Sequence, residues 1–145
     1  MSGKFFLDTN VLVYTFDDKD AAKRDRARAL VAAALAESRG VISYQVAQEF
    51  LNAALRRFAK PLTPADAERF LAVVLEPLCA VYSSMELLHQ AIDISGRWKY
   101  SFYDALIIAS AQQAGCSVLY SEDLQHGQKV GDVRILNPFV ESPGN

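Results

Sequence analysis

Two cysteines, one tryptophan, five prolines and seven glycines in 145 residues leave little material for several familiar designs. Cys79 and Cys116 lie far apart and show neither a CxxC nor a Cys/His spacing, which argues against a zinc site or a disulfide framework. Both are expected to be reduced, buried thiols. No apolar run approaches the roughly 20 residues that span a bilayer, and the N-terminus has no signal-peptide apolar core. A cytoplasmic protein with no membrane segment is expected. Basic excess is missing too: with a net charge of −2 and a pI near 5.6, bulk attraction would not hold a polyanion, so a local patch is needed. Nor is there a Pro- or Gly-rich linker, a low-complexity tract or an internal repeat. One domain over residues 1–145 is expected, and the 51% apolar content is enough for a core without staples.

What is present is an alternation. Short apolar runs of strand length occur at Phe5–Leu7, Val41–Ser43, Cys79–Tyr82, Ser117–Tyr120 and Val133–Leu136. Between them lie helical segments, roughly Ala21–Ser38, Gln45–Ala59, Pro64–Leu75, Met85–Arg97 and Phe102–Ala114, with Gly40 and Gly115 just after two of the ends. Strands that read as continuous apolar runs and alternate with helices predict an α/β fold, a parallel sheet covered on both faces. Ligands of such sheets bind beyond the carboxyl ends of the strands, so residues placed there carry the functional question.

Four acids fall on that edge. Asp8 directly follows the first strand, in Phe-Leu-Asp-Thr-Asn. Glu49 lies one turn into the helix after the second strand, on a polar stripe with Gln45, Asn52 and Arg56. Asp104 stands in the first turn of the apolar helix that feeds the fourth strand, and Asp123 follows that strand beside Glu122. Each has an ordinary reading alone: Asp8 as an N-cap, Glu49 on a solvated face, Asp104 in a capping box with Ser101, and Asp123 as turn chemistry. Together they make a cluster, and clustered carboxylates oppose one another's ionisation unless protons or a cation compensate. Oxygen ligands suit Mg²⁺ or Mn²⁺, which keep several waters and serve phosphoryl chemistry; phosphodiester hydrolysis is the natural reaction.

The quoted segments Phe-Leu-Asp8-Thr-Asn, Ser43-x-Gln45-x-x-x-Glu49-Phe, Tyr103-Asp104-Ala-Leu-Ile-Ile-Ala-Ser-Ala and Tyr120-Ser-Glu-Asp123-Leu, in this order, resemble the PIN domain. Length and the closing Val133-Arg-Ile-Leu-Asn-Pro-Phe are most similar to the VapC-type toxins of bacterial toxin–antitoxin pairs. The resemblance implies a three-layer α/β/α fold with a central parallel sheet. It implies a metal-dependent endoribonuclease with RNA as substrate, a homodimer, and a cognate antitoxin protein that blocks the pocket. It assigns Asp8, Glu49, Asp104 and Asp123 as catalytic, Mg²⁺- or Mn²⁺-binding acids, with Thr9 and Asn10 supporting Asp8. Ser121 stands where the family often has Thr, and Glu122 competes with Asp123 for the fourth acid's role.

Other residues are weighed against these. Arg56 and Arg57 with Lys60 form one candidate RNA patch; Lys23-Arg24 with Arg26 and Arg28, and Arg97 with Lys99, form two more. His89 and His126 are read as structural. Trp98 and Tyr100 suit either stacking on bases or packing at a helix end. Ala21–Ser38 and Pro64–Leu75 are the expected antitoxin-binding helices. Two further readings stay open: a receiver- or phosphatase-like domain, disfavoured because no acid follows the third strand, and a catalytically silent RNA- or protein-binding module.

Overall fold

A computed structural model describes residues 3–140. Six strands form one sheet in the order β3-β2-β1-β4-β6-β5. They are β1 (Lys4–Leu7), β2 (Gly40–Ser43), β3 (Cys79–Val81), β4 (Cys116–Tyr120), β5 (Lys129–Val130) and β6 (Val133–Leu136). Every pairing is parallel except the short β5, which returns antiparallel along β6 at the edge. Helices flank the sheet, giving the α/β, mostly parallel, three-layer fold that the alternation predicts.

The helices are α1 (Thr9–Tyr14), α2 (Ala21–Glu37), α3 (Tyr44–Arg56), α4 (Pro64–Phe70), α5 (Glu76–Leu78), α6 (Met85–Trp98) and α7 (Phe102–Gln113). Side chains of Asp20, Ser43, Thr63, Ser84 and Ser101 accept backbone N–H bonds at the starts of α2, α3, α4, α6 and α7, the usual remedy for orphan donors at helix N-termini. α7 is buried over Ile107–Ala111 and at Ala105, packing on β4, β2 and β6 beside α6.

Several elements and boundaries differ from the sequence reading. The six-residue α1 and the two-residue β5 are too short to show a period and were not expected. α3 stops at Arg56, three residues early, where Phe58 turns inward against Phe16 and Phe50, with centroids 5.5 and 6.0 Å apart. The segment expected as one helix over 64–75 runs from α4 through a π-helical stretch, Leu71–Leu75, into α5, reaching β3 without a loop. Gly40 is not a helix terminator: Ser38 takes the left-handed conformation at φ 55°, and Gly40 is the first residue of β2. A Cβ on Gly40 would stand 2.1 Å from the Cβ of Ala34, so its lack of a side chain lets α2 press against the sheet.

The core centres on Phe6, Leu7, Ile42, Phe50, Ile108, Leu119 and Ile135, all fully buried. Both cysteines are free, with Cys116 buried and Cys79 partly so. Among the described residues no helix is long and apolar enough to cross a membrane.

Candidate active site

Strand register builds the site. Leu7 pairs with Tyr120 across β1 and β4, and the chain continues that pairing one step further, with the Asp8 N–H donating to the Tyr120 carbonyl at 3.0 Å. Asp8 therefore arrives beside Ser121 at the carboxyl edge of the sheet. It is 8% exposed and both its oxygens are engaged: Oδ1 accepts from the Thr9 N–H at 2.7 Å and Oδ2 from the Ser121 hydroxyl at 2.7 Å. The helix-cap reading and the site reading of Asp8 thus hold together, one oxygen for each.

Around this carboxylate the neighbours interlock. The Thr9 hydroxyl donates to Glu49 Oε1 at 2.7 Å, joining α1 to α3. Asn10 donates from Nδ2 to Asp123 Oδ2 at 3.1 Å and accepts the Glu122 N–H on Oδ1 at 3.2 Å, joining α1 to the turn after β4. Fully buried Ser121 accepts the Asp123 N–H at 3.2 Å on the oxygen that serves Asp8. The Asp8 carboxyl is pushed up to about 6, first by burial; the hydrogen bonds from Ser121 and Thr9 oppose the shift, and the charges of Glu49 and Asp123 add to it. Glu49 and Asp123, distant in sequence, thus both bear on the Asp8 carboxylate.

Asp104 stands apart from that knot. It lies half-buried in the first turn of α7, its N–H capped by the Ser101 hydroxyl at 3.3 Å, as the capping-box reading expects. The connection to the other acids is Gln45, whose amide donates to Glu49 Oε2 at 3.2 Å and to the Tyr103 carbonyl at 3.4 Å. Gln45 Oε1 is buried without a partner. Sequence reasoning placed Gln45 on the polar stripe and missed this bridge.

Glu49, Glu122 and Asp123, but neither Asp8 nor Asp104, line a groove of about 530 Å³ together with Thr9, Asn10, Val13, Tyr14, Ala53, Arg57 and Phe58. Arg57 is on its wall and Arg56 is not. On α2, Lys23 pairs with Glu122 and Arg24 with its exposed neighbour Asp25, while the exposed Arg26 and Arg28 donate to the Pro138 and Thr15 carbonyls. Tyr100 packs through a hydrogen bond to Gln128, His126 Nδ1 accepts the Asn137 N–H at 2.8 Å, and Arg97 pairs with Asp93 on the surface.

A match to the PIN domain family covers residues 5–130. The chain belongs to the PIN domain family. No curated protein matches it. Among solved structures, a toxin–antitoxin complex from Klebsiella pneumoniae superposes with a TM-score of 0.66 at 18% identity, covering 94% of this chain and 98% of that one. A VapC toxin from Mycobacterium tuberculosis that cleaves the sarcin–ricin loop gives 0.62 at 24%, covering 83% and 90%. The DNA-bound VapBC complex from Salmonella typhimurium gives 0.59 at 25%, covering 92% and 97%.

The oxygens around Asp8 are carboxylate, hydroxyl and amide, a set that would suit Mg²⁺ or Mn²⁺ rather than softer metals. Among the described residues no three His, Cys, Asp or Glu side chains are grouped so that they could together hold a metal ion. An open set is compatible with these ions, which take one or two carboxylates directly and fill the remaining positions with water.

Proposed function

We propose that this PIN domain is a metal-dependent endoribonuclease acting in the cytoplasm as the toxin of a toxin–antitoxin pair. The observation that carries the proposal is that Glu49 and Asp123, which line one groove together with Arg57, both bear electrostatically on the buried Asp8 carboxylate beside it. Asp8, Glu49 and Asp123 would hold Mg²⁺ or Mn²⁺, partly through bound waters, with Asp104 on α7 as the fourth acid of the set. Bound there, the ion would stabilise negative charge at the scissile phosphate and acidify a water. The chain's own residues do the rest. Thr9, Asn10, Gln45 and Ser121 fix the carboxylates, and Arg57 offers a cation to an RNA phosphate.

The partners follow from surfaces that the site does not use. Clefts of about 360 and 330 Å³ meet at Phe16 and Phe70, between α2 and the α4–π segment, and are lined by Leu62, Val73, Val74, Val31 and Leu35. They suit an apolar antitoxin segment, on the two helices expected for it. Tyr44, Tyr82, Met85, Leu88 and Ile92 form an exposed apolar group, with Met85 76% exposed, and would be covered in a homodimer.

Incubating the purified chain with RNA and Mn²⁺, beside EDTA and Asp8→Asn controls, tests the activity. Cleavage that survives EDTA, or none at all with Mn²⁺, would refute it, and the second result would favour a silent binding module. Light scattering and co-purification from the native operon test the partners.

A further inference from the structure

Two adjacent acids, Glu122 and Asp123, line the same groove, and their surroundings differ. Both carboxylate oxygens of Glu122 are taken: Oε1 accepts from the Tyr14 hydroxyl at 2.6 Å and Oε2 from Lys23 Nζ at 2.5 Å. Lys23 is itself clamped. Its ammonium lies 3.3 Å from the Tyr14 hydroxyl, 4.7 Å from the centre of the Tyr14 ring and 5.6 Å from that of Phe139. The two rings meet edge to face at 4.8 Å. Asp123 has a single side-chain donor, Asn10 Nδ2 on Oδ2, and among the described residues nothing donates to Oδ1.

We propose that Lys23 is a positioning residue for Asp123: by saturating Glu122 it withdraws that carboxylate from the acid cluster and locks the Ser121–Asp123 turn so that Asp123 faces Asp8 and Glu49. The mechanical path is short. The Glu122 carboxylate is anchored on α1 through Tyr14 and on α2 through Lys23, while the Glu122 N–H is anchored on Asn10, which grips Asp123 with its other end. The electrostatic consequence is equally direct. Lys23 cancels one negative charge on the groove wall, so the cation-binding field comes from Asp8, Glu49 and Asp123 rather than from a diffuse acidic rim. With side-chain exposures of 32% and 25%, the pair is screened less than an ion pair in open water.

The idea rests on the metal-site reading above, and the test separates the two. Lys23→Met, Lys23→Arg and the double variant Lys23→Met/Glu122→Gln are compared with the parent in two assays. In EDTA, amide hydrogen exchange at Glu122 and Asp123 is expected to speed up roughly tenfold in Lys23→Met relative to the β4 amides of Val118 and Leu119, and to stay at the parent rate in Lys23→Arg. In Mn²⁺ titrations followed by electron paramagnetic resonance, the double variant, which keeps the parent's net charge but lacks the anchor, is expected to bind at least about threefold more weakly than the parent because Asp123 is no longer held toward Asp8 and Glu49. Lys23→Met should bind more tightly than the double variant, since its freed carboxylate can face the ion. Unchanged exchange in Lys23→Met, or a double variant that binds Mn²⁺ as tightly as the parent, overturns the proposal. A parent that binds no Mn²⁺ refutes the metal site and leaves hydrogen exchange to decide the role of Lys23.

Discussion

Replacing Asp8 with Asn should change the stability of the metal-free protein in opposite directions at low and high pH. In the folded chain the Asp8 carboxyl is raised from 3.8 to about 6, chiefly by burial, so the native state holds its proton more tightly than the unfolded state does. Its contribution is therefore fully present below pH 3.8 and is lost as pH rises through about 6. A shift of roughly two units corresponds to about 3 kcal/mol of penalty on the ionised form at pH 8. Asn escapes that penalty. Against this, Asp8 accepts from both Thr9 and Ser121, and Asn has one acceptor oxygen in place of two, costing about 1 kcal/mol. The net expectation in EDTA at pH 8 is a gain of about 2 kcal/mol, or roughly 4–8 °C in melting temperature for a chain of this size. Near pH 4 the difference should vanish or turn slightly negative. Millimolar Mn²⁺ should raise the parent's melting temperature more than the mutant's, since a ligand stabilises in proportion to its occupancy of the folded state. Calorimetry at both pH values, with and without metal, checks each step. A mutant less stable than the parent at pH 8 in EDTA, or a difference independent of pH, would refute the reasoning.

Three further outcomes follow from particular contacts. Ser121→Ala removes a donor from Asp8 and should cost about 1–3 kcal/mol at pH 8 in urea unfolding, with Asp8 titrating still higher by NMR; an unmoved Asp8 titration would contradict the assigned hydrogen bond. Arg57→Ala should lower the salt slope of RNA binding by about 1, whereas Arg56→Ala should leave it unchanged; equal effects would mean the groove is not the RNA path. Gly40→Ala drives a methyl into Ala34 and should destabilise by about 1–3 kcal/mol or more in thermal unfolding, with Ala34→Gly partly restoring it.

The strands of the sheet and the long helices were legible in the chain because their signals are local. Continuous apolar runs such as Phe5–Leu7 and Val41–Ser43 mark strands buried on both faces, and Ser or Thr before α3, α4, α6 and α7 marks where the helices begin. Elements shorter than a period, α1 and β5, carried no such signal. The π-helical segment had none either, since a change of hydrogen-bond partner leaves no mark on a run like Leu-Ala-Val-Val-Leu. Placement of Asp8 and Asp123 just beyond strands was equally readable, because topology alone sends residues after parallel strands to one edge.

What each acid does there was decided by contacts across the chain. Glu122 and Asp123 are neighbours of the same chemistry, yet Lys23, 99 positions away, occupies one and Asn10 steers the other. Lys23, Arg26 and Arg28 read as a basic patch on a helix, and only the fold turns them onto Glu122 and two backbone carbonyls. Asp8 reads as a cap, and it is one. Burial beside β4 makes the same carboxylate expensive to ionise, because desolvation depends on what packs around a charge and not on its neighbours in sequence.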